Sequence, residues 1–148
     1  MRTVEELLYS LNNPRLAIIE TGCVHTRNIA RWVAANNESN FVCVDLNFSL
    51  LLETHRQLEG DHTARYCTFL SQEHAKWLNG LTWLDVAFLH PADLPSGVEE
   101  FNLAVSAGAR LIVLSDYQTR GALAIKRAKE IGWEFEASGE LNILRRPK

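Results

Sequence analysis

LAIIETGCVHTRNIARWVAANNESNFVCVDLN, residues 16–47, is the segment from which the rest of the fold can be predicted. A short apolar run ends at Glu20, a turn containing Gly22 follows, and a helical pattern leads to a second apolar run that ends at Asp45. This order predicts a strand–helix–strand unit with parallel strands and a right-handed crossover. Both strand ends therefore open at one edge of a sheet, which is where open α/β sheets bind ligands.

The same alternation continues through the rest of the chain. Predicted strands cover 16–20, 41–45, 64–70, 83–89 and 110–114, and predicted helices cover 3–11, 26–35, 48–58, 72–78, 98–107 and 119–131. The chain closes with two strand patterns, 133–137 and 141–145, on either side of the Ser138-Gly139 turn. This pattern predicts a mostly parallel sheet that is covered by helices on both faces and closed by an antiparallel hairpin.

Composition indicates a single globular domain over residues 1–148, long enough to bury a sizeable core. A net charge of −3 and an isoelectric point near 5.9 argue against a large nucleic-acid-binding face. No apolar run approaches the length of a membrane span, and the first residues lack a signal-peptide pattern. The three cysteines, Cys23, Cys43 and Cys67, lack C-x-x-C spacing, so we expect free thiols, a reducing cytoplasmic setting and no zinc site.

Asp45 is the strongest candidate binding residue. An acid at the end of the second strand, about twenty residues after Gly22, can accept hydrogen bonds from both ribose hydroxyls of a nucleotide. The alternative is that Asp45 caps the following helix, although Asn47 is better placed to do so. The histidines His55, His62 and His74 lack ligand spacing, and surface positions are sufficient to explain them.

The closing hairpin on a mostly parallel sheet resembles the class I S-adenosylmethionine-dependent methyltransferases. In that family the first strand ends in the motif E/D-x-G-x-G-x-G, and Glu20-Thr21-Gly22 matches its opening. The continuation Cys23-Val24-His25-Thr26 supplies no further Gly, and Thr26 resembles the small hydroxyl residue that opens the first helix in divergent members. The resemblance covers nearly the whole chain and implies a Rossmann-like, doubly wound, seven-stranded sheet.

The resemblance also implies that the chain binds S-adenosylmethionine. The cofactor-binding residues that it implies are Glu20, Thr21, Gly22, Cys23, Thr26, Asp45, Leu46, Ser71 and Gln72. The carboxylate of Glu20 would help to hold the methionine end, directly or through water. Ser71 and Gln72 would lie against the adenine ring, and Ser71 could equally cap the next helix.

The positions that carry catalytic or metal-binding residues in many methyltransferases are here His90, after the fourth strand, and Asp116, after the fifth. His90 could act as a general base, because an ordinary histidine has a pKa near 6.5, or it could be a loop histidine with a backbone partner. Asp116 could remove a proton from the substrate or cap the following helix. A histidine replaces the first acid of metal-dependent members and no third ligand is visible, so we predict no metal site.

The implied activity is methyl transfer from S-adenosylmethionine to an unidentified, small acceptor, by in-line displacement. The alternative is a non-catalytic methyltransferase-like binding or interaction protein, because the Gly-rich turn is incomplete and no substrate-recognition segment is inserted. A nicotinamide-dependent dehydrogenase fits less well, since its fingerprint needs three glycines and only Gly22 is present. We expect a small-molecule substrate and no membrane or nucleic-acid partner, and a homodimer is left open.

Overall fold

One seven-stranded sheet forms the centre of the protein, which the computed structural model describes at residues 3–115 and 120–148. The strand order is β3-β2-β1-β4-β5-β7-β6. Strands β1 to β5 pair in parallel, and β7 pairs antiparallel with both β5 and β6. The strands are β1 (Ala17–Thr21), β2 (Asn40–Asp45), β3 (Thr68–Ser71), β4 (Val86–Leu89), β5 (Leu111–Leu114), β6 (Glu134–Ser138) and β7 (Leu141–Arg145). The predicted mostly parallel sheet with a C-terminal antiparallel hairpin is confirmed.

Helices cover both faces of the sheet, because successive residues of a buried strand point to opposite sides. They are α1 (Val4–Ser10), α2 (Thr26–Ala35), α3 (Phe48–Gly60), α4 (His74–Leu78), α5 (Leu94–Ser106) and α6 (Ala122–Glu130). Ile18 of β1 packs in a core with residues of α1, α2 and α3, including the buried Trp32. The next residue, Ile19, packs on the opposite face with residues of α5 and α6, including Phe101.

Side-chain caps set the starts of three helices. Thr3 accepts a hydrogen bond from the N–H of Glu6, and Asn47, which the sequence favoured as a cap, accepts one from the N–H of Leu50. Asp93 accepts one from the N–H of Ser96, so α5 begins at Leu94, four residues before its predicted start. Pro95 is tolerated in this first turn because an N–H there has no helical partner to lose.

The strand prediction is wrong in two places, in each case because the backbone makes other hydrogen bonds. Residues 64–70 were predicted as one strand, but Ala64–Tyr66 form a 3₁₀ turn and β3 begins only at Thr68. Residues 83–89 were predicted as another, but β4 begins at Val86. Just before it, the N–H of Leu84 donates to the carbonyl of Ala107, and the Asp85 carboxylate accepts a hydrogen bond from the N–H of Ala17.

Candidate functional site

The carboxyl ends of β1, β2 and β4 meet at one edge of the sheet. Thr21, the last residue of β1, is in register with Val44 of β2 and Leu89 of β4, so Asp45 and His90 follow one residue later on either side. A cavity of about 580 Å³ opens at this edge, a volume typical of small-molecule sites. Its lining includes Asp45, Leu46, Glu73, His74, Ala75, His90, Pro91, Ala92, Ser96, Glu99, Glu100 and Arg120.

Glu20 is completely buried, and its carboxylate organises the turn that follows β1. Oε2 accepts hydrogen bonds from the N–H groups of Val24 (3.1 Å) and His25 (2.6 Å), and Oε1 accepts one from the hydroxyl of Thr26 (2.5 Å). Nε2 of His90 donates a further bond to Oε2 at 2.9 Å. Since the chain itself supplies these donors, the observed role of Glu20 is to hold the turn and the start of α2.

Gly22 gives the same turn its shape. Its φ of +90° lies in the region that favours glycine, and its N–H donates to the carbonyl of Val44 at 2.8 Å. A Cβ at this position would lie only 3.1 Å from Cβ of His90. His90 therefore packs directly over the glycine, in the space that a side chain there would need.

His90 is held from two sides, and its exposed side-chain fraction is only 8%. Its backbone N–H donates to the hydroxyl of Thr21, while its ring Nε2 donates to Glu20. Nδ1 is buried and, within the described residues, has no hydrogen-bond partner. The ring of His25 lies 5.3 Å away, and burial lowers the pKa of His25. Because Nε2 carries the donated proton, Nδ1 is the nitrogen with a free lone pair.

Asp45 is in a different situation from Glu20. Its side chain is 18% exposed and borders the cavity, next to Leu46, which is 62% exposed. Oδ1 accepts a hydrogen bond from the N–H of Asn47 at 2.8 Å, and Oδ2 lies 3.4 Å from Nε2 of His74. A carboxylate has about four acceptor positions, so Asp45 keeps capacity for a ligand.

His74 links Asp45 to a second, buried acid. Its Nδ1 lies 3.4 Å from Oε1 of Glu100, which is 2% exposed and accepts a hydrogen bond from Thr21 at 2.7 Å. Burial alone would lower the pKa of His74, but the hydrogen bond and charge of Glu100, together with Asp45, outweigh it and raise the pKa. The expectation of a surface histidine was therefore wrong for His74.

The sequence did not predict Glu100, although a signal was present. Gly97, Glu100, Phe101 and Ala104 are the buried residues of α5 and follow the three-to-four spacing of a buried helix face. An acid within such an apolar stripe needs a buried partner, which marks it as a candidate site residue.

Not all of the remaining predicted cofactor residues lie at the cavity of about 580 Å³, which we call the main cavity. Cys23 and Thr26 line a separate cavity of about 360 Å³ between the turn, α2 and α3. Ser71 is exposed and does not cap α4, whose N-cap is Glu73, while the N–H of Gln72 donates to the carbonyl of Asp45. The predicted catalytic Asp116 lies outside the described residues. Of the predicted set, Asp45, Leu46 and His90 line the main cavity.

Across 3–115 and 120–148, no three His, Cys, Asp or Glu side chains are grouped so as to hold a metal ion. In the same ranges, no helix has the length and apolar character that crossing a bilayer would require.

The sequence itself matches no protein-family model and no curated protein. Solved structures, in contrast, show a clear likeness. A methyltransferase from Geobacter sulfurreducens superposes with a TM-score of 0.70 at 16% identity, over 100% of this chain and 80% of that one. Magnesium protoporphyrin IX methyltransferase from Synechocystis, solved with bound S-adenosylmethionine, gives 0.69 at 16% identity, over 97% and 76%.

A putative caffeoyl-CoA O-methyltransferase from Staphylococcus aureus gives a TM-score of 0.71 at 12% identity, over 99% of this chain and 84% of that one. These neighbours confirm the fold that the sequence resemblance implied, including the hairpin that closes the sheet. The chain has the fold of the class I S-adenosylmethionine-dependent methyltransferases.

Proposed function

We propose that the chain binds S-adenosylmethionine in the cavity at the ends of β2 and β4 and transfers its methyl group to a small-molecule acceptor. The observation that carries this proposal is Asp45, a partly exposed carboxylate at the end of β2 that borders a cavity of about 580 Å³. An acid at this position can accept hydrogen bonds from both ribose hydroxyls.

The residues around Asp45 fit the nucleoside half of the cofactor. Asn47 and His74 each contact one carboxylate oxygen, which fixes the direction of the Asp45 side chain without using all its acceptor positions. Leu46 and Pro91 provide apolar surface at the same cavity. A fixed acid beside apolar surface is a suitable environment for a ribose and the base attached to it.

The charge of the cavity also fits a cationic ligand. The lining includes four acids, Asp45, Glu73, Glu99 and Glu100, against the basic residues His74, His90 and Arg120, and an excess of acids in a cleft raises the local concentration of cations. S-adenosylmethionine, when bound, supplies a methyl group on a positively charged sulfur, and the acceptor takes this methyl group as the carbon–sulfur bond breaks. Glu20 would support binding indirectly, by holding the turn through Val24, His25 and Thr26.

His90 is the residue that we propose to accept a proton from the substrate. Glu20 fixes its ring by accepting the Nε2 proton, which leaves Nδ1 as the basic nitrogen. His90 also borders the cavity in which the substrate would lie. The same pairing of a buried carboxylate with an imidazole orients catalytic histidines in other enzymes.

The test is calorimetric titration of the purified protein with S-adenosylmethionine and S-adenosylhomocysteine. We expect both to bind the wild-type protein and Asp45→Ala to weaken binding by about 10- to 100-fold, the effect of removing a charged hydrogen-bond acceptor. Asp61→Asn is the control, because it removes another carboxylate charge, from an ion pair with Arg27 that lies outside the main cavity.

Each result separates the two functions that the sequence left open. Binding that is lost in Asp45→Ala and kept in Asp61→Asn supports the cofactor site. A folded protein that binds neither compound would contradict the proposal, and the non-catalytic interaction protein would then be the better account.

A further inference from the structure

Two of the three cysteines lie side by side where the turn that follows β1 packs against β2. Cys23 is in the turn and Cys43 is in the middle of β2, opposite Glu20 in the parallel register. Their sulfur atoms are 3.3 Å apart, and both thiols are free. Cys43 Sγ is also 3.3 Å from the carbonyl oxygen of Gly22, which holds this thiol towards the turn.

We propose that Cys23 and Cys43 are an oxidisable thiol pair that forms a disulfide with hydrogen peroxide, and that Cys67 takes no part in it. The proposal rests on the contact between the two sulfur atoms and on the different access that solvent has to them. It does not depend on cofactor binding or methyl transfer.

Access decides which sulfur meets the oxidant first. Cys23 is partly exposed and lines the cavity of about 360 Å³ between the turn, α2 and α3. Cys43 is completely buried on β2. A small peroxide can therefore reach Cys23 from the cavity, while Cys43 is placed to react with Cys23 in a second step.

The electrostatics of the pair favour the same order. The hydrogen bond between the two thiols lowers the pKa of Cys23 despite its burial, and the same bond together with burial raises the pKa of Cys43. Burial also raises the pKa of Cys67. The thiolate is the reactive form of cysteine, and redox-sensing cysteines combine a low pKa with access and a neighbouring thiol.

The chemistry balances with hydrogen peroxide as the oxidant. The thiolate of Cys23 attacks one peroxide oxygen, the O–O bond breaks, and the products are a sulfenic acid and hydroxide. The sulfur of Cys43 then attacks the sulfenic sulfur, the S–O bond breaks, and the oxygen leaves as water with the proton from Cys43. Overall, two thiols lose two electrons and two protons, and one peroxide becomes two waters.

The disulfide would join the turn covalently to β2. This turn carries the N–H groups of Val24 and His25 that bind Glu20, so oxidation would act on the same structural unit. In reducing compartments such disulfides are transient and report on oxidants, which agrees with the lack of other paired cysteines.

The experiment is peroxide oxidation of the folded, full-length protein, followed by thiol counting, intact mass and peptide mapping without reduction. We expect the total number of free thiols, counted after denaturation, to fall from three to one. The intact mass should fall by about 2 Da, and dithiothreitol should reverse this loss. Peptide mapping should join the peptides of Cys23 and Cys43.

Three variants make the test specific. Cys67→Ser should form the same disulfide as the wild type, while Cys23→Ser should form none. Cys43→Ser, or Cys43→Ala if the serine variant is unstable, should accumulate a sulfenic acid on Cys23 that dimedone labels. A disulfide that contains Cys67, or three intact thiols at a peroxide dose that fully oxidises N-acetylcysteine, would overturn the proposal, and the wild-type map alone is sufficient to do so.

Discussion

The ends of β1 and β2 lie next to each other and both carry an acid, but the two acids are used differently. Glu20 is completely buried and accepts hydrogen bonds from the turn, from Thr26 and from His90. Asp45 is partly exposed, borders the cavity and keeps acceptor positions for a ligand. An acid at the motif position can therefore be used entirely within the fold, while the acid on the neighbouring strand keeps free acceptor positions.

The largest expected effect is on the stability of Glu20→Gln, which removes the charge of the buried acid. The carboxylate becomes a neutral amide, so the N–H groups of Val24, His25 and His90 lose a charged acceptor, and the NH2 group must replace the oxygen that accepts from Thr26. We expect a loss of about 3 kcal/mol in the free energy of unfolding, measured by urea denaturation. Asp45→Asn is the matched variant at the partly exposed acid, and it should lower the free energy of unfolding by less than about 1 kcal/mol. Equal losses in the two variants would contradict the different roles of the two acids.

A smaller effect is expected when Gly22 is replaced by alanine. The φ of +90° is strained for any other residue, and the new methyl group would meet His90 at 3.1 Å. We expect a loss of about 2 kcal/mol by the same denaturation measurement.

Gly60→Ala is the control for this change, because it lies at the end of α3 with open space around it and should be neutral or slightly stabilising. The double variant Gly22→Ala/His90→Gly separates the two causes, because His90→Ala would keep the Cβ that lies nearest to the new methyl group. It should be less destabilised than the sum of its single variants, since the contact is then absent and only the backbone strain is left. Strict additivity would show that His90 does not pack on Gly22.

The smallest expected effect is on the pH dependence of stability, where His74 and His25 should act in opposite directions. The pKa of His74 is raised, so its stabilising contribution is complete below the unfolded value of about 6.5 and is lost as pH rises through the folded pKa. The pKa of His25 is lowered, so its contribution is complete above about 6.5 and is lost as pH falls.

The measurement is urea denaturation between about pH 5 and 8 of the wild type, His74→Gln and His25→Asn. As pH rises, the free energy of unfolding of the wild type should fall relative to that of His74→Gln and rise relative to that of His25→Asn. If the two stability differences between wild type and variant changed with pH in the same direction, the environments described for His74 and His25 would be contradicted.

The sequence was sufficient to predict the fold because alternation of strands and helices is a local signal that runs through the chain. It failed where the backbone makes hydrogen bonds that a strand pattern does not reveal. The N–H of Leu84 donates to the carbonyl of Ala107 in the segment after α5, and β4 begins only at Val86. Residues 64–70 have a strand-like composition, but Ala64–Tyr66 form a turn whose partly buried Ala64 and Tyr66 pack against the core.

The site was only partly predictable for a related reason. Asp45 and His90 could be predicted because Asp45 ends a predicted strand and His90 directly follows another, and parallel strands bring their ends together. His74 and Glu100 lie on helices, and their contacts with Asp45 and Thr21 arise only when α4 and α5 pack beside the sheet edge. The burial of Glu20 could not be read from the motif either, because the donors that occupy it include His90, 70 positions away.

The most direct test of this account measures two quantities, stability and the dissociation constant for S-adenosylhomocysteine, in Glu20→Gln and Asp45→Asn under conditions where both are folded. The account predicts that Asp45→Asn keeps wild-type stability but binds about 10-fold or more weakly. It predicts that Glu20→Gln is the less stable of the two and loses less affinity. Wild-type affinity in Asp45→Asn, or wild-type stability in Glu20→Gln, would contradict the division of roles between the two strand ends.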